Sequence, residues 1–127
     1  MEVKRDRYLD RLIERKGNGL IKAVTGIRRC GKSFLLLELF HRHLVESGVP
    51  ESRIVEVALD DRANKPLRNP DTLLAYLRGR VPGDGVPTYV VLDEIQLVPE
   101  FEDVLNSLLH MRGADVYVSG SNSQFLS

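Results

Sequence analysis

The sequence predicts a three-layer α/β/α sandwich on a mainly parallel sheet, formed as one domain over residues 1–127. Short β-branched and apolar runs alternate with longer patterns of helical period. The strand runs are nearly continuous in apolar residues, as in parallel sheets covered by helices on both faces. Gly, Pro, Asn and Asp fall between these blocks as punctuation, with no repeat, low-complexity tract or linker. Strands joined through helices pair in parallel by right-handed crossovers.

Each element has its own signal. Residues 5 to 16 form an amphipathic helix with Tyr8, Leu9, Leu12 and Ile13 on one stripe, ended by Gly17, Asn18 and Gly19. Leu20 to Thr25 reads as a strand, apolar at Leu20, Ile21, Ala23 and Val24. From Gly31 to Ser47, Phe34, Leu35, Leu36, Leu37, Leu39, Phe40 and Leu44 cover most of a helix circumference, so burial is expected. Gly48 and Pro50 stop that helix. Arg53 to Leu59 is a second strand, ended by Asp60 and Asp61 in what reads as a solvated turn rather than a metal site. Asn69 caps a third helix with Pro70 in its first turn and Leu73, Leu74 and Leu77 facing inward. After the turn at Pro82 to Gly85, Thr88 to Leu92 forms a third strand running into Asp93 and Glu94. Phe101, Val104, Leu105, Leu108 and Leu109 mark a fourth helix closed by Gly113, and Val116 to Val118 is the fourth strand.

Eighteen basic and 18 acidic side chains cancel. No protein-wide positive field is available to hold nucleic acid. The first 16 residues carry Lys4, Arg5, Arg7, Arg11, Arg15 and Lys16, but acids stand three or four positions away, which favours a solvated, salt-laced helix face. A single cysteine, Cys30, rules out an internal disulfide and suits a reducing compartment. The apolar runs are far shorter than a membrane span, and no signal core follows Met1, so a cytoplasmic protein is expected. His41, His43 and His110 do not group into a metal cluster.

The sharpest motif is Gly26-Ile27-Arg28-Arg29-Cys30-Gly31-Lys32-Ser33, which fits G-x-x-x-x-G-K-[ST] between a strand and a helix. Gly26 and Gly31 permit the turns that point several N–H groups into one concavity, and the helix start adds its positive end. Lys32 is expected to reach the β- and γ-phosphates, and the Ser33 hydroxyl to join the shell of Mg²⁺. Ile27, Arg28, Arg29 and Cys30 complete the loop through their backbone, with Phe34 next in the helix. The arginine side chains point to solvent or a partner, and Cys30 reads as a small loop filler rather than a redox switch.

Val90 to Glu94 is an apolar strand ending in two carboxylates, the form of a Walker B segment. Asp93 is the expected Mg²⁺ ligand and Glu94 the general base for an attacking water. Gln96 orients water, contacts a neighbouring subunit or caps a loop. The string Ser119-Gly120-Ser121-Asn122-Ser123 puts polar groups at the carboxyl end of the fourth strand, where ligands of open α/β sheets gather. One of these side chains senses the γ-phosphate, or the string is a serine-rich turn.

Leu20 to Ser33, Leu92 to Gln96 and Ser119 to Ser123 together resemble the amino-terminal domain of prokaryotic AAA-type ATPases that usually carry a carboxyl-terminal domain of unknown function. The resemblance spans nearly the whole chain. It implies a P-loop NTPase core of the additional-strand, AAA-like kind with sheet order 5-1-4-3-2. It also implies ATP and Mg²⁺ as ligands and a sensor at Ser121 or Asn122. A fifth strand and an arginine finger follow the fourth strand in that fold, whereas the sequence stops at Ser127. An amino-terminal fragment lacking its last strand and its carboxyl-terminal domain is therefore expected. An open edge on the first strand would favour a homo-oligomer. Without the finger, about 10³ or more in rate is lost, so the expectation is a Mg-dependent ATPase core that binds ATP but turns over slowly. Two alternatives stand beside it. One is a P-loop kinase, for which no lid is evident; the other is a nucleotide-gated interaction module for nucleic acid or protein partners.

Overall fold

The computed structural model describes residues 2–25 and 30–120. Four strands, β1 (Lys22–Val24), β2 (Ile54–Ala58), β3 (Thr88–Asp93) and β4 (Ala114–Ser119), form one sheet in the order β1-β4-β3-β2 with every pairing parallel. That order agrees with the 1-4-3-2 portion of the sheet implied by the resemblance. The register sets Val24 beside Ser119 and Ala58 beside Asp93, so the carboxyl ends of the strands share one edge.

Helices cover both faces. On one side lie α1 (Glu2–Glu14) and α2, a continuous run of α-helical Cys30–Phe34, π-helical Leu35–Phe40 and α-helical His41–Glu46. Leu12, Leu35, Leu36, Phe40 and Leu44 pack there on Val24, Val91 and Tyr117. On the other side α3 (Pro70–Arg78) and α4 (Phe101–Leu109) bury Leu73, Leu77, Val104 and Leu108 against Val55, Val90, Leu92, Val116 and Val118. The layers are those the sequence predicts. Asn69 caps α3 as expected, its side chain accepting from the Thr72 N–H at 3.0 Å.

Three local features differ from expectation. The π-helical stretch interrupts what the apolar pattern reads as one regular helix. Four residues overshoot a 3.6-residue α turn by about 40°. The wider π turn takes up that overshoot, so Leu36, Phe40 and Leu44 all stay on the sheet. The first strand is shorter than its apolar run, and Leu20 is 65% exposed while Lys22 is buried. Lys22 Nζ pairs with Asp115 Oδ1 and donates to Asn18 Oδ1 at 3.2 Å, and it lies 4.7 Å from the centre of the Tyr117 ring. Asp115 Oδ2 also accepts from Gly17 N–H (2.9 Å) and Tyr117 OH (2.6 Å), so the charge is fully partnered. Burial and the bond to Asp115 push the Tyr117 hydroxyl well above its ordinary pKa and keep it a donor.

The third difference is a 3₁₀ segment, Arg62–Arg68, after β2. Asp61 opens it by accepting from the Ala63 N–H at 2.9 Å. Asp60 and Asp61 are both exposed, in keeping with a solvated turn. Gly113 leads into β4 at φ 83°, and a Cβ there would come within 3.2 Å of the Val86 carbonyl. Its own carbonyl accepts from the Thr88 N–H at 2.8 Å. Among the described residues no helix is long and apolar enough to cross a membrane.

Candidate functional site

Strand parity sets the site. In β3 and β4, Val91 and Tyr117 pack on the α2 side while Val90, Leu92, Val116 and Val118 pack on the other. Two residues on, Asp93 and Ser119 therefore fall on the α2 side, at the edge where α2 begins. Residues 32 and 33 of α2 meet them there.

Asp93 is 1% exposed, and both carboxylate oxygens are engaged. Oδ2 accepts from the Ser33 hydroxyl at 2.6 Å, and Oδ1 accepts from the Ser119 hydroxyl. Ser119 Oγ in turn accepts the Glu94 N–H at 2.9 Å. The Asp93 carbonyl takes the Leu59 N–H at 3.0 Å, and Gly120 N–H reaches the Val24 carbonyl at 3.3 Å, so the strand ends are tied together.

Lys32 is completely buried, and its ammonium has no hydrogen-bond acceptor among the described residues. Among the described residues the opposite charge beside it is Glu94 Oε2, at 3.8 Å. Glu94 adopts a left-handed backbone, φ 60° and ψ 53°, which costs an ordinary side chain about 1 kcal/mol or more. The reversal turns the chain into the 3₁₀ segment Ile95–Leu97 and lets the Gln96 Nε2–H donate to Glu94 Oε1 at 2.7 Å.

Of the sequence-predicted site residues, Lys32, Ser33, Asp93 and Glu94 come together. Gly31 is buried beside them, and Phe34 lies further along α2, 36% exposed. Cys30 opens the helix. Gly26, Ile27, Arg28, Arg29, Ser121 and Asn122 lie outside the described residues. Ser119 belongs to the polar string that the sequence marks, but the resemblance assigns the sensor to Ser121 or Asn122; the Ser119 hydroxyl joins Asp93 to the Glu94 backbone. The signal was present in β4, because Ser119 has the parity of Tyr117 rather than of Val118.

Among the described residues no three His, Cys, Asp or Glu side chains gather as a metal cage. A Mg²⁺ ion needs no such cage, because it keeps water and takes one or two protein oxygens together with phosphate oxygens. The Ser33 hydroxyl and the Asp93 carboxylate are a fitting pair of hard oxygen ligands.

A family model described as an AAA domain matches residues 18–127. Among curated proteins, one from Haemophilus influenzae described as uncharacterized is 27% identical over 125 residues, covering 98% of this chain. The chain spans 31% of that relative's length, about a third. No solved structure matches.

Proposed function

The chain belongs to the AAA domain family, whose general character is that of a nucleotide-binding ATPase, and on that premise we propose that it binds Mg·ATP at the carboxyl edge of its sheet and hydrolyses it. The observation that carries this reading is Lys32, a fully buried cation lacking a hydrogen-bond acceptor among the described residues, next to the Ser33–Asp93 pair. Removing an ammonium from water costs several kcal/mol. A fold keeps such a group where an anion completes the site, and a polyphosphate offers the oxygens that Lys32 lacks.

In this reading Gly26, Ile27, Arg28, Arg29, Cys30, Gly31 and Phe34 frame the phosphates, chiefly through backbone N–H groups. Lys32 binds the β- and γ-phosphate oxygens. Ser33 and Asp93 would hold Mg²⁺, which when bound neutralises phosphate charge. Ser119 fixes the Asp93 carboxylate, and Ser121 or Asn122 senses the γ-phosphate. Glu94 accepts a proton from water as the water oxygen bonds to the γ-phosphorus. The bond from that phosphorus to the β–γ bridging oxygen breaks, its electron pair leaving on ADP, and inorganic phosphate is the second product. Where such a domain is joined to a carboxyl-terminal one, this step would drive motion of that attached domain.

Calorimetry with ATP and Mg²⁺ tests the reading. Lys32→Ala should weaken binding by at least about tenfold, the worth of a charge-assisted hydrogen bond or two. Unchanged affinity would remove the basis of the proposal. A companion Glu94→Gln variant should bind ATP yet lose hydrolysis, and retained turnover would unseat Glu94 as the base.

A further inference from the structure

Gln96 is positioned by the turn but is not what holds it. The turn is anchored by the buried Ile95 and Val98 and closed by Leu97 N–H to Glu94 O (3.1 Å) and Val98 N–H to Ile95 O (3.0 Å). The Gln96 amide instead reaches back to the preceding carboxylate, its Nε2 2.7 Å from Glu94 Oε1. The other oxygen, Oε2, faces Lys32 Nζ at 3.8 Å, and the Glu94 side chain is only 14% exposed. In so dry a setting the carboxylate is drawn toward the ammonium, and a contact ion pair would occupy the cation that a phosphate needs. The Ser119 bond fixes only the backbone of Glu94. Gln96 grips its carboxylate at Oε1.

We propose that Gln96 is a positioning residue that holds Glu94 by Oε1, at the end of a left-handed turn, so that Oε2 addresses the Lys32 side of the site without collapsing onto it. Lys32 then remains available to phosphate, and Oε2 is the oxygen that takes the proton of the attacking water. This rests on the reading of Glu94 as the general base. Gln96 does not itself touch the reacting atoms.

Two measurements test the assignment. The chain has two glutamines, Gln96 and Gln124, and five asparagines, so nitrogen-15 labelling of glutamine alone leaves two side-chain amide pairs to assign in the unliganded protein. The Gln96 pair should shift in Glu94→Ala. A Gln96 signal indifferent to Glu94→Ala would overturn the contact. Gln96→Met keeps length and bulk but removes the donor, and it should lower kcat by at least about tenfold, part of the 10² to 10⁴ that a general base contributes. ATP affinity should fall too, because the released carboxylate competes with phosphate for Lys32, but by less than kcat. Full kcat in Gln96→Met, or parallel loss of kcat and affinity, would refute the positioning role. The two proposals fail separately. Unchanged ATP binding by Lys32→Ala removes the ATPase reading but leaves the amide signal to report the contact, whereas turnover insensitive to Gln96→Met removes only the role of Gln96.

Discussion

The Ser119 hydroxyl has one proton to give and lone pairs to accept with, and the site uses both capacities. It donates to Asp93 Oδ1 and accepts the Glu94 N–H at 2.9 Å, and the residue is completely buried. Ser119→Ala would leave a buried carboxylate oxygen and a part-buried N–H short of this partner, at about 1–3 kcal/mol for each group so deprived. We expect a net loss of about 2 kcal/mol, read as a lower urea midpoint with an unchanged slope. A shift below about 0.5 kcal/mol, the scatter of ordinary surface changes, would mean that the hydroxyl is not the group satisfying them. At this scale the sequence is legible where chemistry is written in residue type. Lys32, Ser33, Asp93 and Glu94 stand out because loop glycines and an acid-ended strand frame them. Ser119 and Gln96 were harder to assign, since a serine at a strand end or a glutamine in a turn is ordinary until strand parity or a left-handed residue fixes where it points.

Among the elements, apolar period identified α3, α4, β2 and β3, because most of their buried residues are apolar. It misjudged β1, where Lys22 is buried and Ala23 exposed. The partner that makes this possible, Asp115, is 93 residues away, and no local window contains it. A second long contact joins α2 to β2: His41 Nδ1 is 2.9 Å from Glu56 Oε2, and Nε2 is 3.0 Å from Glu51 Oε2. Burial alone would lower the His41 pKa, but the bonds to Glu56 and Glu51 outweigh it and the value is raised. Burial raises Glu56 above the usual carboxylate range, with His41 pulling it partly back. A histidine that binds its proton more tightly when folded stabilises fully below its unfolded value of 6.5 and loses that stabilisation as pH rises through the folded value. The raised Glu56 works in the same direction, since its burial costs most once it is ionised. His41→Gln should therefore lose more stability at about pH 5.5 than at about pH 8.5, measured by urea unfolding of both proteins at each pH. A loss equal at the two pH values would show that the imidazolium is not the stabilising form.

For the whole molecule, the sheet order followed from a resemblance rather than from periodicity, since alternating elements predict parallel pairing but not which strand lies beside which. The observed order leaves β1 paired with β4 alone, and among the described residues no strand occupies its outer edge. Beside that edge runs a groove of about 420 Å³ lined by Tyr8, Arg11, Leu12, Arg15 and the exposed Leu20. Unpaired backbone at a sheet edge is a template for a further strand, and a second copy of the chain can supply it. Two copies meeting there would bring Arg11 and Arg15 of each together, a repulsion that salt screens over a Debye length of about 10 Å at 0.1 M. Self-association should therefore grow with protein concentration and be stronger at about 0.5 M than at about 0.05 M salt. Leu20→Lys removes exposed apolar area and adds a cation beside the edge, so it should suppress the association at either salt concentration. Light scattering across a concentration series decides the matter: a monodisperse monomer at high concentration and high salt would show that the β1 edge does not pair between copies.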